Sequence, residues 1–375
     1  MSGKMIRVLY LYENLNIGGA EQLLVTTLKY LDYGKFKPLV YCIGKKGRLA
    51  EEVEKNGIPV KLLNKKSSLY NIGIVLELIK IFKRERPDVL HANLFYPGYF
   101  GRIAAFFAGV PVVIVTEHGT HSNLKKWYHY CIDFTLSFFT TKIIAVSCAV
   151  REYLLKYSRI RADKISVIYN AVDFERFDSV YDTDKDLIRS KLNFPGSDFL
   201  IGAVSNLAPW KGQHILLEAF RDVLKTFPEA RLYIIGRDNN GFQHRLEKFA
   251  QENNFLEKVH FLGERRDVPQ ILRALDAFVL PSLSEGLGIS LLEAMYLGLP
   301  AIASGTEGVL EIIEDNKDGL LFPPGDCKAL AEKLIEVLKD REKAASLGAN
   351  AREKVKKRFS PQGYIEKLSA LYLFK

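Results

Sequence analysis

The sequence predicts an α/β fold made of two similar parallel-sheet domains. Short apolar runs of strand length alternate with longer amphipathic segments from Ile6 to Phe177, which is the pattern of repeated βαβ units. The same alternation begins again at Leu200. With 375 residues, the chain is also too long for most single cores and suits two domains. We therefore expect domains over residues 1–177 and 178–358 with a cleft between them, and we expect residues 178–198 to be the linker and the entry to the second domain.

The composition is that of a soluble globular protein, with 48% hydrophobic and 26% charged residues. The four cysteines show neither paired nor metal-type spacing, so we expect no zinc site, no disulfide framework and a reducing compartment. The N-terminal apolar stretch is too short for a signal peptide. No uninterrupted run of about eighteen apolar residues predicts a membrane-spanning helix.

Positive charge is concentrated in the first half of the chain. Residues 1–170 carry 25 Lys and Arg against 13 Asp and Glu, whereas the remainder is slightly acidic. This asymmetry indicates an anionic partner for the N-terminal domain, such as a lipid surface, nucleic acid or a phosphorylated acceptor. Basic and aromatic residues are mixed in Lys65–Lys66, Lys80–Arg86 and His121–Phe139, including Lys125, Lys126 and Trp127. These segments form either a surface for anionic lipid head groups or core helices with a solvated basic face.

Polar residues and glycines follow the predicted strands of the first domain. Gly18 and Gly19 come after the strand Ile6–Tyr12 without the spacing of a dinucleotide fingerprint, so the residues alone indicate a tight turn or a phosphate loop. His91, Asn93 and His118 stand at the carboxyl ends of later strands, which is the edge where open α/β sheets bind ligands. A histidine there is also commonly a packed structural residue.

One stretch of the second domain carries the strongest signal, from Pro281 to Pro300. The apolar run Ala277–Leu280 predicts a buried strand, and the periodic segment ending near Gly298 predicts a helix. Between them, Gly286 and Gly288 allow a ligand to approach the backbone. The free N–H groups and the dipole of the helix start attract phosphate. The sequence therefore predicts a phosphate-binding turn.

Two carboxylates frame this turn, Glu285 before the helix and Glu293 inside it. One carboxylate beside a diphosphate and another further off suit a sugar nucleotide, because sugar and ribose hydroxyls donate hydrogen bonds to charged acceptors. The alternative is that both glutamates only stabilise the helix through charge.

The string Glu285-Gly-Leu-Gly-Ile-Ser-Leu-Leu-Glu293-Ala-Met-Tyr-Leu-Gly-Leu-Pro300 resembles the signature of the family-four retaining glycosyltransferases, in which two glutamates stand eight positions apart. The resemblance covers nearly the whole chain. It implies the GT-B fold, with two facing Rossmann-like domains and the final segment 359–375 packing back on the first. It also implies transfer of a sugar, with retention, from a nucleoside diphosphate sugar such as a UDP-sugar. The acceptor would be a glycan or a lipid-linked acceptor in polysaccharide, lipopolysaccharide or lipid-linked glycan synthesis.

The resemblance assigns roles residue by residue. The catalytic residues are Glu285 on the sugar hydroxyls, Lys211 on the diphosphate and His118 near the reactive carbon. His91 and Asn93 would face the acceptor, and Glu293 would bind the ribose. The donor site as a whole comprises Gly18, Gly19, Asn206, Lys211, Gly236, Leu262, Arg265, Glu285, Gly286, Leu287, Gly288, Ile289 and Glu293. No metal, other cofactor or nucleic acid is implied, and the location is cytoplasmic or peripheral on the inner face of the cell membrane.

The chain departs from the family pattern at two positions. Ala171 replaces the glycine of an Asn-Gly-Val-Asp motif, and Asn206 replaces the arginine of an Arg-x-x-x-x-Lys-Gly element that ends in Lys211-Gly212. An amide hydrogen bonds to a phosphate oxygen but does not neutralise it. Either Lys211 alone bears the charge of the leaving group or another cation contributes, with Arg237 and Arg265 as candidates.

Two other functions are compatible with the residues. A nucleotide-sugar epimerase would share the two-domain cleft and would convert the donor without an acceptor. A basic protein that binds nucleic acid or lipid surfaces without catalysis would instead show steep salt dependence and no response to UDP-sugar.

Overall fold

The computed structural model describes residues 5–120, 126–196 and 198–374. The chain divides into two compact units, one formed by Met1–Ala171 with Pro361–Lys375 and the other by Val172–Ser360. None of the helices in the described ranges is long and apolar enough to cross a bilayer.

Within the described residues, the first unit contains a seven-stranded parallel sheet in the order β3-β2-β1-β4-β5-β6-β7. Its strands are β1 Ile6–Tyr12, β2 Phe36–Cys42, β3 Val60–Leu62, β4 Val89–Asn93, β5 Val112–Glu117, β6 Lys142–Ala145 and β7 Ile165–Val167. Its first six helices are α1 Gly19–Tyr30, α2 Ala50–Lys55, α3 Ile72–Glu85, α4 Phe95–Ala108, α5 Trp127–Ser137 and α6 Cys148–Tyr157.

Both faces of this sheet are covered. On β1, Val8, Tyr10 and Tyr12 pack into the core on one face. Leu9 and Leu11 pack into the core on the other, together with α3 and α4. A strand buried on both sides needs apolar residues at every position, which is why the strands of this unit appear as continuous apolar runs in the sequence.

The second unit repeats this design around a six-stranded parallel sheet in the order β10-β9-β8-β11-β12-β13, counted over its described residues. The strands are β8 Leu200–Val204, β9 Arg231–Ile235, β10 Val259–Gly263, β11 Ala277–Leu280, β12 Ala301–Ser304 and β13 Leu320–Phe322. The helices are α7 Phe174–Tyr181, α8 Lys185–Leu192, α9 Gln213–Leu224, α10 Phe242–Glu252, α11 Val268–Ala274, α12 Ile289–Tyr296, α13 Glu307–Leu310, α14 Cys327–Lys339 and α15 Arg341–Arg358. β8 lies in the middle of the sheet, and β11 beside it leads into the glycine turn.

The segment 178–198, predicted as the linker and the entry to the second domain, lies within the second unit and contains α8. Asp184 caps α8 by accepting hydrogen bonds from the backbone N–H groups of Asp186 and Leu187, at 2.8 and 3.0 Å. The buried Arg189 donates to Asp276 at 2.7 Å. A buried ion pair needs fixed partners on both sides, so α8 is an integral part of the second unit.

The boundaries between the units also differ from those expected at 177 and 358. The first lies between Ala171 and Val172, because α7 packs on the second unit. Phe174 stacks on Tyr296 with ring centroids 4.3 Å apart, and the buried Phe177 lies edge-on to the same ring. The chain leaves the second unit after Ser360.

The last helix, α16 Pro361–Tyr372, packs on the first unit. Tyr364, Ile365 and Leu368 lie in the same core as α1 and β1. The hydroxyl of Tyr372 lies 2.7 Å from His91 Nδ1 and donates to the hydroxyl of Tyr10 at 3.1 Å. The helix is therefore fixed by an apolar face and by a buried polar contact.

Candidate active site

The predicted phosphate-binding turn connects β11 to α12. Gly288 precedes α12 with φ +83°, a left-handed conformation that glycine adopts without steric cost. The residue supplies no side-chain cap to the first turn of α12. The N–H groups of Leu291 and Leu292 donate to the carbonyl of Gly288 at 3.1 and 3.2 Å, so the N–H groups before them lie at the open end of the helix, where an anion can bind. Gly286, Leu287 and Ile289 thus lie where the sequence predicts them, in and just after the turn.

Lys211 and Glu285 form an ion pair at this turn. Lys211 Nζ donates to Glu285 Oε2 at 2.7 Å, and Ser282 Oγ donates to the same oxygen at 3.2 Å. The two charged side chains are 23% and 13% exposed, so solvent reaches both. The predicted catalytic cation and carboxylate are therefore each other's partner, and Ser282 is a contact that the sequence analysis missed.

The backbone holds this pair in place. Lys211 ends a 3-10 turn, Pro209–Lys211, and the backbone N–H of Leu283 donates to the carbonyl of Trp210 at 2.8 Å. Gly212 has φ +70°, and a Cβ there would lie 1.9 Å from the carbonyl oxygen of Pro281. The Lys211-Gly212 sequence is thus explained by a close approach of two backbones, which only glycine allows.

Glu293 has its own cation, Arg176. Arg176 Nη1 donates to Glu293 Oε1 at 3.4 Å, and Arg176 Nη2 donates to the carbonyl of Arg266 at 3.4 Å. Glu293 is only 8% exposed, and this burial raises the pKa of its carboxyl group. The positive charge of Arg176 opposes that rise, whereas the nearby Asp173 adds to it.

The sequence analysis did not single out Arg176. The residue lies 117 positions before Glu293 and three after Asp173, the last residue of the Asn-Ala-Val-Asp segment. The sequence did contain a signal for this residue, because a cation stands three positions after a segment that resembles a family motif. Only the packing of α7 on α12, through Phe174 and Tyr296, brings it to the carboxylate.

Asn206, Gly236 and Arg237 come together at the carboxyl ends of β8 and β9. The backbone N–H of Leu207 donates to the carbonyl of Arg237 at 2.9 Å. Gln213, at the start of α9, donates through Nε2 to the carbonyl of Asn206 at 3.0 Å. The Nε atom of Arg237 is buried and has no hydrogen-bond partner among the described residues. The backbone of Arg237 therefore lies next to the position where the family pattern has arginine.

Arg265 is less suited to that task. Its guanidinium donates to both carboxylate oxygens of Asp267, at 2.7 and 2.5 Å. The same pair lowers the pKa of Asp267. A bidentate pair occupies the donors of the arginine and neutralises its charge locally. Of the two candidates for replacing the missing arginine, the structure thus favours Arg237.

Leu262 lines a different part of the second unit from the pairs Lys211–Glu285 and Arg176–Glu293. It lines a cavity of about 510 Å3 with the described residues Leu192, Asn193, Phe194, Pro195, Arg231, Tyr233 and His260. This lining includes none of the other predicted donor residues. The expectation that Leu262 contacts the donor gains no support from its surroundings.

In the first unit, His118 and Asn93 are neighbours. His118 Nε2 lies 3.1 Å from Asn93 Oδ1. Asn93 is buried, and its Nδ2 has no hydrogen-bond partner in the described residues. β4 and β5 pair in parallel register, so their carboxyl ends bring these two side chains together as predicted. Gly18 and Gly19 lie at the start of α1, after β1.

His91 has a different environment from the one its predicted acceptor role requires. It is 3% exposed, with Nδ1 2.7 Å from the hydroxyl of Tyr372 and Nε2 2.7 Å from that of Thr116. Burial lowers the pKa of His91 to about 3. Both ring nitrogens are occupied inside the unit, so the geometry favours the alternative of a packed core residue over contact with an acceptor.

Two family models match the chain. Residues 17–176 match "Glycosyltransferase Family 4", and residues 184–354 match "Glycosyl transferases group 1". These matches favour a sugar transferase over the epimerase and the non-catalytic binding protein considered above.

Curated relatives with similar sequences act in glycan synthesis. The chain is 30% identical over 314 residues to the Escherichia coli UDP-Gal:alpha-D-GlcNAc-diphosphoundecaprenol alpha-1,3-galactosyltransferase, covering 82% of this chain and 80% of the relative. It is 26% identical to the Staphylococcus aureus capsular polysaccharide biosynthesis glycosyltransferase CapM, covering 80% of each chain.

Among solved structures, HepE from Anabaena in complex with UDP and glucose has a TM-score of 0.86 at 25% identity. The match covers 97% of this chain and 98% of HepE. The complex of HepE with UDP-glucose gives a TM-score of 0.87 at 25% identity, with the same coverage. The similarity therefore extends over both units.

Proposed function

Because the chain belongs to the group 1, family-four glycosyltransferases of the GT-B fold, we propose that it transfers a sugar from a UDP-sugar to an acceptor hydroxyl with retention at the anomeric carbon. Glycosyltransferase activity in glycan synthesis follows from the family. The choice of UDP is supported by the UDP complexes of HepE and by the UDP-galactose donor of the E. coli relative.

The observation that carries the donor site is the Lys211–Glu285 pair beside the uncapped start of α12. Without donor, each residue satisfies the charge of the other. When a sugar diphosphate binds, Lys211 exchanges the carboxylate for phosphate oxygens, and Glu285 accepts hydrogen bonds from the sugar hydroxyls. The first-turn N–H groups of α12 complete the contact with the diphosphate.

Transfer then requires little from the protein beyond positioning and charge. The bond between the anomeric carbon and the diphosphate oxygen breaks, and the acceptor oxygen bonds to the same face of that carbon. The proton of the acceptor hydroxyl passes to the leaving diphosphate oxygen. Lys211 and the helix start stabilise the negative charge that develops on the leaving group. The scheme uses no metal ion.

We assign Arg176 the task of positioning Glu293 for the ribose. A carboxylate this buried tends to become protonated, and the ion pair keeps it charged and aimed. Arg237 supplies the second cation near Asn206 and shares the diphosphate charge with Lys211.

The first unit supplies the acceptor side in this proposal. We assign to His118, which lies 3.1 Å from Asn93, the role near the reacting carbon that the family resemblance implies, and to Gly18 and Gly19 a role in donor binding. The acceptor is a glycan or a lipid-linked glycan, as the diphosphoundecaprenol and capsular relatives suggest. The enzyme acts in the cytoplasm, in keeping with the cysteine pattern.

The test is a thermal-shift panel of UDP-glucose, UDP-galactose, UDP-N-acetylglucosamine and GDP-mannose. A ligand at a hundred times its dissociation constant adds about 2.7 kcal/mol to the free energy of unfolding. We expect a UDP-sugar to raise Tm and the Lys211→Ala variant to lose the shift. Stabilisation by GDP-mannose alone would contradict the choice of UDP. A shift that survives in Lys211→Ala would contradict the site.

A further inference from the structure

Five phenylalanines of the first unit are exposed to solvent. Phe106 and Phe107, in the last turn of α4, are 55% and 61% exposed. Phe134, Phe138 and Phe139, at the end of α5, are 42%, 62% and 42% exposed. We call these five residues the phenylalanine patch. Single exposed apolar residues are ordinary, but a contiguous group of large ones marks an interaction site.

The patch is continuous across two helices. The ring centroid of Phe106 lies 5.2 Å from that of Phe107 and 4.5 Å from that of Phe139. The rings of Phe134 and Phe138 are 5.3 Å apart, and Phe138 precedes Phe139 in the chain. These contacts join the ends of α4 and α5 into one apolar surface.

The patch lies at the edge of the sheet opposite His118 and Asn93. In βαβ units the helices run against the strands, so the ends of α4 and α5 lie beside the amino ends of β5 and β6. The backbone N–H of Thr141, just after the patch, donates to the carbonyl of Val113 near the start of β5 at 2.8 Å. The edge that carries His118 and Asn93 is therefore left free by anything bound to the patch.

Positive charges surround the patch. Lys164 Nζ donates to the carbonyl of Thr140, next to Phe139, at 2.8 Å, and Lys142 starts β6. Lys83 is exposed in the last turn of α3, which runs parallel to α4 and ends at the same edge. The nearby carboxylates are already paired, Asp163 with Arg161 and Glu85 with Lys61 and Arg84.

We propose that the phenylalanine patch docks the protein on an anionic lipid bilayer. The phenyl rings enter the boundary between head groups and acyl chains, while the surrounding lysines and arginines contact the phosphates. A symmetric dimer through this surface would bring Lys142 and Lys164 of one copy against those of the other, which like charges disfavour.

The experiment measures flotation of the full chain with vesicles. One set contains equal parts phosphatidylglycerol and phosphatidylcholine, and the other contains phosphatidylcholine alone. Phe107→Ser/Phe138→Ser removes the two most exposed rings of the patch, and Lys83→Gln/Lys142→Gln removes two charges. Leu187→Ser, an equally simple change at a residue 49% exposed in the second unit, is the matched control.

We expect the wild type and Leu187→Ser to bind the anionic vesicles, with binding that falls as salt is raised. The phenylalanine variant should bind at least tenfold more weakly, and the charge variant severalfold more weakly. All variants should keep the wild-type Tm, since exposed positions contribute little to stability.

Wild-type binding that is absent, or equal binding by the phenylalanine variant, would overturn the proposal. The proposal would also fail if the phenylalanine variant were a monomer and the wild type a dimer in sedimentation velocity, with no loss of vesicle binding. The patch would then be a protein interface. UDP release from a UDP-sugar is measured in parallel. If the wild type releases no UDP yet floats through the patch, the proposed reaction fails and the docking surface stands.

Discussion

The two units share one architecture but differ in the chemistry at the carboxyl ends of their strands. In the second unit the side chains there are charged and paired, Lys211 with Glu285 and Arg176 with Glu293. In the first unit two histidines stand at this edge, His118 beside Asn93 and His91 between two hydroxyls. Phosphate recognition needs accessible cations, whereas a hydroxyl acceptor needs oriented neutral donors and acceptors. This difference is the basis for the proposal that the second unit binds the donor and the first the acceptor.

The largest effect that this comparison predicts is at the charged pair. Lys211→Ala removes the cation that stabilises the leaving diphosphate, and Glu285→Ala removes the acceptor for the sugar hydroxyls. Losing one electrostatic contact of this kind costs about 10²–10³ in kcat. UDP release from the donor and acceptor measures the loss, with Lys225→Ala as the control for an exposed, paired lysine of the same unit. Near wild-type turnover in Lys211→Ala or Glu285→Ala would contradict the role of this charged pair in the reaction.

The second effect concerns the stability of the first unit and the titration of His91. The pKa of His91 is lowered to about 3 from 6.5, so the unfolded chain binds the proton more readily than the folded one. Stability is complete above the unfolded pKa and declines as the pH falls from there toward the folded pKa. Between about pH 7 and about pH 5 the loss is on the order of 2 kcal/mol.

Urea unfolding at the two pH values measures this loss. His91→Gln should be less stable at neutral pH, because the tyrosine and threonine hydroxyls lose a matched partner, and it should show a smaller difference between the two pH values. If the stability of His91→Gln depends on pH as that of the wild type does, another group causes the dependence. The buried contacts of His91 with Tyr372 and Thr116 would then not explain the loss of stability in acid.

A smaller effect distinguishes the two candidates for the missing arginine. Arg237→Ala should weaken UDP-sugar binding about tenfold, which corresponds to about 1.4 kcal/mol. Arg265→Ala should change it little, because Asp267 already neutralises that guanidinium. Introducing Asn206→Arg into Arg237→Ala should restore affinity. Isothermal titration with a UDP-sugar measures the affinity of Arg237→Ala, of Arg265→Ala and of the double variant. A larger loss in Arg265→Ala than in Arg237→Ala would identify Arg265 as the replacement cation.

The smallest expected effect is that of metal removal. If Lys211, Arg237 and the start of α12 carry the diphosphate charge, excess EDTA should leave kcat and KM unchanged. The assay compares EDTA-treated enzyme with and without added Mg²⁺ or Mn²⁺. A loss of activity that either ion restores would mean that the cations of the second unit are insufficient for the leaving group.

Much of the local structure followed from the chain alone. Strand β1, Ile6–Tyr12, and strand β11, Ala277–Leu280, have the bounds that their apolar runs predict. Buried parallel strands are apolar at every position and glycines mark their turns, so the signal is contained within a few neighbouring residues. Helix α8 within 178–198 was not apparent from the apolar pattern, because charged residues such as Arg189 are buried there by pairing with the distant Asp276.

The amino-acid sequence by itself determined the α/β class, the second repeat of that architecture, the glycine turn before α12 and the two glutamates that frame it. Only the tertiary structure decided which cation pairs with which carboxylate, that Arg237 lies beside Asn206, that His91 is enclosed, and that Phe106 meets Phe139 on the surface. The physical reason is that periodicity reports whether a residue is buried by its own helix or strand. The partners of a charged or aromatic side chain depend instead on strand order and helix packing, which join residues far apart in the chain.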